Sequence, residues 1–304
     1  MEVSKEHITD WLQQLQTQIC AALEAEEGTG KFSTQHWERA EGGGGISRVI
    51  ENGSVIEKGG VMFSAVYGEA PDFLFKESEH SNASGVKLKP QFYATGVSIV
   101  IHPKSPLVPI IHMNVRYFEM GTNKWLGGGI DLTPHYINDT DARYFHAELK
   151  KVCDRWNANY YPEFKTWADD YFFIKHRQET RGIGGIFFDR LFEREGMSFE
   201  KNVGFWKDVG SIFPEIYTEL MKRNKSAVFN DQQKQWQLLR RGSYVEFNLV
   251  YDKGTKFGLE SNGRIESILM SLPKFASWEY DHKVDKDSEE QRTLSLLKKG
   301  INWV

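Results

Sequence analysis

The stretch GVSIVIHPKSPLVPIIHMNVR, residues 96–116, sets the frame for reading the rest of the chain. It holds two apolar runs, Val97–His102 and Pro109–Phe118, separated by a turn carrying Pro103 and Pro106, which predicts a β-hairpin with a loop of several residues. Side chains alternate across a strand, so Ser98 and His102 share one face of the first run, and His112, Asn114 and Arg116 share one face of the second. In an even register both strands place these polar groups on one side and Val97, Ile99, Ile101, Met113 and Val115 on the other. A solvated outer face is the ordinary reading of such alternation. This face, however, carries imidazoles, a hydroxyl, an amide and a guanidinium, the groups that move protons and grip carboxylates.

The hairpin belongs to a chain of 304 residues, long enough for one large α+β domain or two smaller ones. A hydrophobic content of 40% and a charged content of 26% are those of an ordinary globular protein. Aromatic residues reach 13%, enough to line a pocket for a flat apolar ligand as well as to fill a core. A net charge of -4 gives no general attraction to nucleic acid or anionic membrane, so an acidic ligand must be met by local cations. Cys20 and Cys153 stand in no metal-ligand spacing, which suits buried thiols in a reducing compartment. No run of 18 apolar residues occurs, and MEVSKEHITD has neither a signal-peptide core nor an Arg-rich transit pattern; the expectation is a cytoplasmic protein without a transmembrane segment.

Outward from the hairpin, helical periodicity predicts helices over residues 6–26, 139–157, 162–175 and 198–223, the last broken at Pro214. WERAEGGGGISR, residues 37–48, fits neither phosphate-loop pattern and reads as a flexible loop, or as an anion-facing one given Arg39 and Arg48 at its ends. Two strands are expected around Asn52-Gly53 and Gly59-Gly60, and another over Ile130–Thr133 carrying Asp131 between apolar neighbours. Residues 231–240 read as a short helix ended by Gly242, and residues 244–251 (YVEFNLVY) as a strand of period two. A loop-rich link then leads to a strand-like segment, IESILMSLP, at residues 265–273. No repeat or linker appears, so we expect one domain over residues 1–304, with an N-terminal helix within 1–30 and a polar tail over about 281–304.

Nucleophilic catalysis has little support, because no GxSxG elbow occurs and neither cysteine lies near a basic motif. Arginine beside glycine recurs instead, at Arg39, Arg48, Arg181, Arg241 and Arg264, and planar guanidinium forks next to bare backbone suit several carboxylates. His176, Arg177 and Arg181 also form a basic cluster before a Gly-Ile-Gly-Gly turn and an aromatic wall. The histidines His102, His112, His146 and His176 lie near glycine turns or polar clusters but lack HxH or HExxH spacing.

The segments WERAEGGGGISR, GVSIVIHP, HMNVRYFE, GGGIDLTP, KHRQETRGIGGIFFD, RRGSYVEFNLVYDKGTKFGL and RIESILMSLP, in this order from about Trp37 to Tyr280, closely resemble the oxygen-dependent coproporphyrinogen III oxidase family. The resemblance implies an α+β fold, a large antiparallel β-sheet flanked on both faces by α-helices, in a homodimer. It implies oxidative decarboxylation of two propionates of coproporphyrinogen III to vinyls, giving protoporphyrinogen IX, carbon dioxide and hydrogen peroxide. Molecular oxygen is then the co-substrate and no organic cofactor is needed.

Residue by residue, the resemblance places the proton donor at His112 and substrate contacts at Ser98, at Asn114, Val115 and Arg116, and at Asn262, Gly263 and Arg264; to these we add Arg48. Asp131 and Asp252 match the family's acids, and a divalent metal would take His102, His112, His146 and His176. The chain departs from the family at Lys253, where arginine is usual, at Arg190, where an aspartate is frequent, and at His135, which replaces an aromatic. The mechanistic expectation is that ionised Asp131 takes or orients a pyrrole N–H, with Asp252 as substitute, while arginines hold propionates and His112 handles protons. The alternatives are a metal-dependent oxygenase built on the four histidines and a non-catalytic tetrapyrrole-binding protein.

Overall fold

In the computed structural model, which describes residues 3–70, 90–193, 196–260 and 263–304, the hairpin forms as two long strands at the centre of a seven-stranded sheet. In chain order the elements are α1 (Lys5–Glu27), β1 (Ser33–Glu38), β2 (Gly43–Glu51), β3 (Ile56–Glu69), β4 (Gln91–Pro103), β5 (Ile110–Met120), β6 (Asn123–Thr133), α2 (Asp139–Asp154) and α3 (Tyr160–Tyr171). A two-stranded hairpin, β7 (Phe173–Ile174) and β8 (Glu179–Thr180), precedes β9 (Gly185–Leu191). Six helices follow: α4 (Phe199–Ser211), α5 (Phe213–Asn224), α6 (Asp231–Val250), α7 (Lys253–Glu260), α8 (Ile265–Leu269) and α9 (Glu289–Leu296).

The sheet is antiparallel throughout, in the order β1-β2-β3-β4-β5-β6-β9. Ser98 pairs with Asn114 and Gly96 with Arg116, so the register is even and the polar side chains do fall on one face. The opposite face is apolar: Val61, Val97, Ile99, Ile101, Met113, Val115 and Ile130 are fully buried with Ile8, Leu12, Leu15 and Ile19 of α1 and with residues of α2, α4 and α5. Helix α1 obeys its heptad-like stripe and starts at Ser4, whose hydroxyl accepts from the His7 amide. On the polar face lie α6 and α8: Tyr244 packs on Val100 and Ile110, and Ser267 meets Ser47 at 3.0 Å. Helices thus flank both faces of the sheet.

Five expectations are corrected. The glycine-rich segment is not a loop but the start of β2, where small residues are needed because a Cβ on Gly44 would lie 2.3 Å from the Trp37 carbonyl oxygen of β1. Residues 244–250 belong to α6, with Tyr251 as its C-cap: buried Gln237, Arg241, Tyr244, Phe247 and Asn248 recur at helical spacing, and this stripe outweighs a short period-two coincidence. Gly242 lies inside α6, where the chain crosses so closely that a Cβ would sit 2.6 Å from the Ser277 carbonyl oxygen. The segment after Arg264 is the short helix α8, and the link before it holds α7. The polar tail, finally, is anchored, since Leu297 and Trp303 are buried in the core and Arg292 pairs with Asp139 at 2.8 Å.

Candidate active site

Strands β5 and β6 build the floor of the site. Their register sets His112 opposite Asp131, Asn114 opposite Gly129 and Arg116 opposite Gly127, all on the face turned away from the main core. A Cβ on Gly127 would lie 2.7 Å from both Arg116 Nε and Asp189 Oδ1. Bare backbone there lets the arginine lie across β6 to pair with Asp189 at 2.8 Å, while its Nη1 donates to Asn114 Oδ1 at 2.9 Å. Ser98 is the next rung on β4.

Asp131 is 1% exposed. His112 Nδ1 donates to its Oδ1 at 2.7 Å, and Arg181 Nη2 donates to Oδ1 and Oδ2 at 2.8 and 2.9 Å. Arg181, itself buried, also donates to Asn248 Oδ1 at 2.9 Å, and its guanidinium lies 4.4, 4.7 and 4.6 Å from the rings of Phe172, Tyr244 and Phe247. Burial alone would raise the Asp131 pKa, but the Arg181 charge and the His112 hydrogen bond outweigh it and hold the carboxyl below its ordinary value. Burial likewise works against the Arg181 cation, and the facing carboxylate carries its pKa upward instead. The pair is therefore ionised.

The glycines after Arg181 explain its delivery. A Cβ on Gly182 would meet the Leu132 carbonyl oxygen at 2.2 Å, and Gly184 has φ 75°. Residues 182–184 thus run hard against the end of β6, with the Ile183 amide on the Leu132 carbonyl and the Leu132 amide on the Gly184 carbonyl, and this contact seats Arg181 on Asp131.

His112 is 21% exposed and stands edge-on to Phe172 at 6.0 Å; among the described residues its Nε2 has no hydrogen bond. A carboxylate behind one imidazole nitrogen fixes the tautomer and stabilises the imidazolium, leaving the other nitrogen to exchange protons with a ligand. Asp131 is screened by His112 and Arg181, which between them engage both of its oxygens.

The other sequence candidates are spread more widely. Arg48 pairs across β2 and β3 with core residue Val61, and its guanidinium lies against the Cys20 thiol of α1, on the far side of the sheet from His112. The Val115 side chain points into the core. Asp252 caps α7: it accepts from Tyr171 Oη at 2.8 Å and from the amide and hydroxyl of Thr255 at 2.7 and 2.8 Å. Those bonds hold its pKa below the ordinary value against the effect of burial. Gly263 and Arg264 lead into α8, on the sheet face that carries His112, and Asn262 lies outside the described residues.

The four histidines do not converge. His102 Nε2 donates to the Ser271 carbonyl oxygen at 2.8 Å, and burial drives its pKa down to about 3. His146, buried on the core side among Phe145, Tyr161 and Trp303, is bonded at both nitrogens, to Tyr161 Oη at 2.9 Å and the Ile183 carbonyl oxygen at 3.0 Å. His176 is bonded at both as well, to Tyr251 Oη at 2.7 Å and Glu246 at 2.6 Å. Among the described residues no group of three or more His, Cys, Asp or Glu side chains could hold a metal ion, so the expected four-histidine set does not fit a metal.

Four site residues are absent from the sequence-derived site. Arg181 stands in the sequence among the arginines beside glycine and in a basic cluster, with nothing there to tie it to Asp131. Asn248 and Tyr244 were hidden by reading α6 as a strand, and Asp189 had no signal short of the sheet register.

Residues 7–303 match the model of the coproporphyrinogen III oxidase family. The chain is 48% identical over 304 residues to the oxygen-dependent coproporphyrinogen-III oxidase of Drosophila melanogaster, covering 96% of this chain and 76% of the relative. It is 46% identical over 299 residues to the chloroplastic coproporphyrinogen-III oxidase 1 of Arabidopsis thaliana, covering 95% and 76%. With the oxygen-dependent coproporphyrinogen-III oxidase of Prochlorococcus marinus (strain MIT 9301) the identity is 43% over 324 residues, 99% of this chain and 93% of the relative. A match that spans nearly the whole chain, over the strands and turns that build the His112–Asp131–Arg181 group, means that this chain belongs to the coproporphyrinogen III oxidase family.

Proposed function

We propose that the protein catalyses the oxygen-dependent oxidative decarboxylation of coproporphyrinogen III to protoporphyrinogen IX. The observation that carries this reading is the His112–Asp131–Arg181 chain beside Arg116 on one sheet face: a proton-handling imidazole next to a carboxylate-binding cation. Each turnover converts one propionate, one dioxygen and one proton into a vinyl group, carbon dioxide and hydrogen peroxide, so two dioxygen molecules serve the two rings. The electrons come from the propionate side chain and its reduced pyrrole, and the protein's task is to hold the macrocycle and move protons.

On this reading Arg116 meets a propionate, exchanging part of its bond to Asp189 for the ligand carboxylate, and Ser98 and Asn114 line the same face. Gly263 and Arg264 approach from the start of α8. His112 Nε2 accepts the pyrrole N–H proton as the ring reacts with oxygen, and Asp131 stabilises the imidazolium; the peroxide leaves as hydrogen peroxide with that proton and a hydrogen from the propionate β-carbon, carbon dioxide departs as the vinyl group forms, and a solvent proton restores the pyrrole N–H. No step passes through a metal. The test is an assay of coproporphyrinogen III with and without oxygen, products separated by chromatography. We expect protoporphyrinogen and peroxide only aerobically, with His112→Ala slowing turnover about 10²- to 10⁴-fold; binding without oxygen uptake would leave the protein a mere tetrapyrrole carrier.

The protein acts as a homodimer through the outer side of α6–α8, a reading supported by the exposed apolar side chains of Leu249, Val250, Leu259 and Ile265. Sedimentation of the protein and of Ile265→Glu tests it, and a monomeric parent would refute it. Among the described residues no helix is long and apolar enough to cross a membrane, and a cytoplasmic location remains part of this proposal, to be checked by fractionation.

A further inference from the structure

The short helix α8 and the turn after it cross the polar face of the sheet in step with its rungs. Cross-strand partners share a face, so Ser47 of β2, Met62 of β3, Ser98 of β4 and Asn114 of β5 form one rung; Gly60, Val100 and His112 form the next, and Lys58 and His102 follow. Residues 267–272 touch these rungs in order. The Ser267 hydroxyl lies 3.0 Å from that of Ser47, and buried Met270 fills the space over Gly60, where a Cβ would stand 2.2 Å from its sulfur. The Ser271 carbonyl oxygen accepts from His102 Nε2 at 2.8 Å, and the Leu272 carbonyl oxygen accepts from Lys58 Nζ at 2.8 Å. Lys58 and His102, directly opposite one another on β3 and β4, thus hold two successive carbonyl groups.

This seat decides where the other end of the segment lies. Arg264 stands about one turn before Ser267, and its carbonyl oxygen accepts from the Ser267 and Ile268 amides at 3.1 Å each. The path continued back from the Ser47 rung leads towards the rung formed by Gly45, Ser64, Gly96 and Arg116. Strands lie about 4.8 Å apart, so a residue over β2 or β3 is about 10–15 Å across the sheet from β5 and its Arg116. Only the small residues Ser64 and Gly96 stand between them on that rung. Among the described residues Arg264 is paired only loosely, with Glu266 at 3.7 Å, and that carboxylate is 78% exposed, which leaves the guanidinium open to a second acid. Two such forks, separated by a low floor, match two carboxylates on different rings of one macrocycle rather than one small acid.

We propose that Lys58, with the notch over Gly60, is a positioning element of the substrate site: by seating the far end of α8 it sets the span between Arg264 and Arg116, and so favours a tetrapyrrole with carboxylates on more than one ring. Lys58 acts through α8 and not on the ligand. The inference rests on the carboxylate binding in the function proposed above, and adds to it the residues that place the second cation.

Binding without turnover tests it. The probe is coproporphyrin III, the oxidised macrocycle with the same four propionates, titrated by fluorescence against the intact protein. Lys58→Met keeps most of the stem and removes the donor to Leu272. We expect it to raise Kd about 10-fold, Arg264→Ala to raise it at least as much, and Lys58→Met to add less than about twofold once Arg264 is gone, because a lost seat and a lost cation are then one and the same defect. A merely structural lysine would weaken both backgrounds alike. Full multiplication of the two effects, or a Kd for Lys58→Met equal to the parent's, overturns the proposal and leaves the proposed activity standing; a parent that binds no coproporphyrin removes both. Should Lys58→Met fail to fold, Gly60→Ala, which presses on Met270 in the same seat, goes through the same cycle with the same expected outcome.

Discussion

Gly127 shows how little space separates binding from its loss. Any side chain there would collide with Arg116 Nε and Asp189 Oδ1, both 2.7 Å from the Cβ position, so Gly127→Ala must swing the guanidinium off its rung. One well-formed charge-assisted hydrogen bond contributes about 1.5–3 kcal/mol, so we expect KM for the tetracarboxylate to rise about 10- to 100-fold with kcat largely kept. Steady-state kinetics decide; a fall confined to kcat would mean that Arg116 does not hold a propionate. Arg181 is the harsher case, because Asp131 would stay buried without its cation. Arg181→Met should cost about 3–5 kcal/mol in denaturant unfolding at neutral pH. The Asp131 pKa is depressed in the folded state, so its contribution is complete above the unfolded carboxyl value and fades as pH falls through the folded one; the gap between parent and variant should close on the acid side. A loss of under about 1 kcal/mol at neutral pH would show that the imidazolium of His112 replaces the guanidinium. Alternation alone exposed His112, Asn114 and Arg116 in the sequence, because a strand's parity is local. Arg48 failed for the same reason turned round: its neighbours Gly44 and Gly45 suggested an anion loop, but one step of parity in β2 sends its side chain to α1. Asp131 could be picked out as a lone acid among apolar residues, yet its partners depend on a register that no short stretch encodes.

At the scale of the element, the β7–β8 hairpin is tied to α6 by one carboxylate. Glu246 accepts from Arg177 Nε at 2.8 Å, from His176 Nε2 at 2.6 Å and from the Trp278 indole at 3.0 Å, so it joins the hairpin, α6 and the C-terminal segment. Burial would raise its pKa, but the Arg177 and His176 bonds bring it down to about 2 from an ordinary value of 4.5. The sign follows from linkage: a folded pKa below the unfolded one stabilises fully above about pH 4.5, and that contribution disappears as pH falls towards 2. Glu246→Gln should therefore melt below the parent at pH 7 and match it near pH 2. Melting curves across that range test this, and a gap independent of pH would mean that shape rather than charge holds the latch. The same helix marks the limit of reading elements from sequence. Helices α1, α2, α4 and α5 were visible because each buries one stripe against one face. Helix α6 is contacted along its length by the sheet, the β7–β8 hairpin and the C-terminal segment, so its apolar and polar positions follow three neighbours and lose a single period.

For the molecule as a whole, the sheet is a partition, and the partition separates the four histidines. His146 lies on the core side, closed in by Tyr161, the Ile183 carbonyl and Trp303. His112 and His102 lie on the other side, His112 committed through Nδ1 to Asp131 and His102 through Nε2 to Ser271. His176, in the turn between β7 and β8, is engaged at both nitrogens, with Tyr251 and Glu246. A single ion binds through atoms about 2.0–2.2 Å away, and to gather these imidazoles it would have to draw His146 through a layer of fully buried side chains and break at least two hydrogen bonds, one at His146 and one at His176. Proton transfer by His112, by contrast, needs only Asp131 behind it and an open nitrogen in front. Exhaustive chelation, with the residual metal content measured, should accordingly leave oxygen uptake on coproporphyrinogen III unchanged within error, in parallel with an unchanged melting temperature. Activity lost to the chelator and restored by one divalent metal would show that the histidines rearrange around an ion during turnover, and the proton-handling role of His112 would then have to yield to a ligand's role.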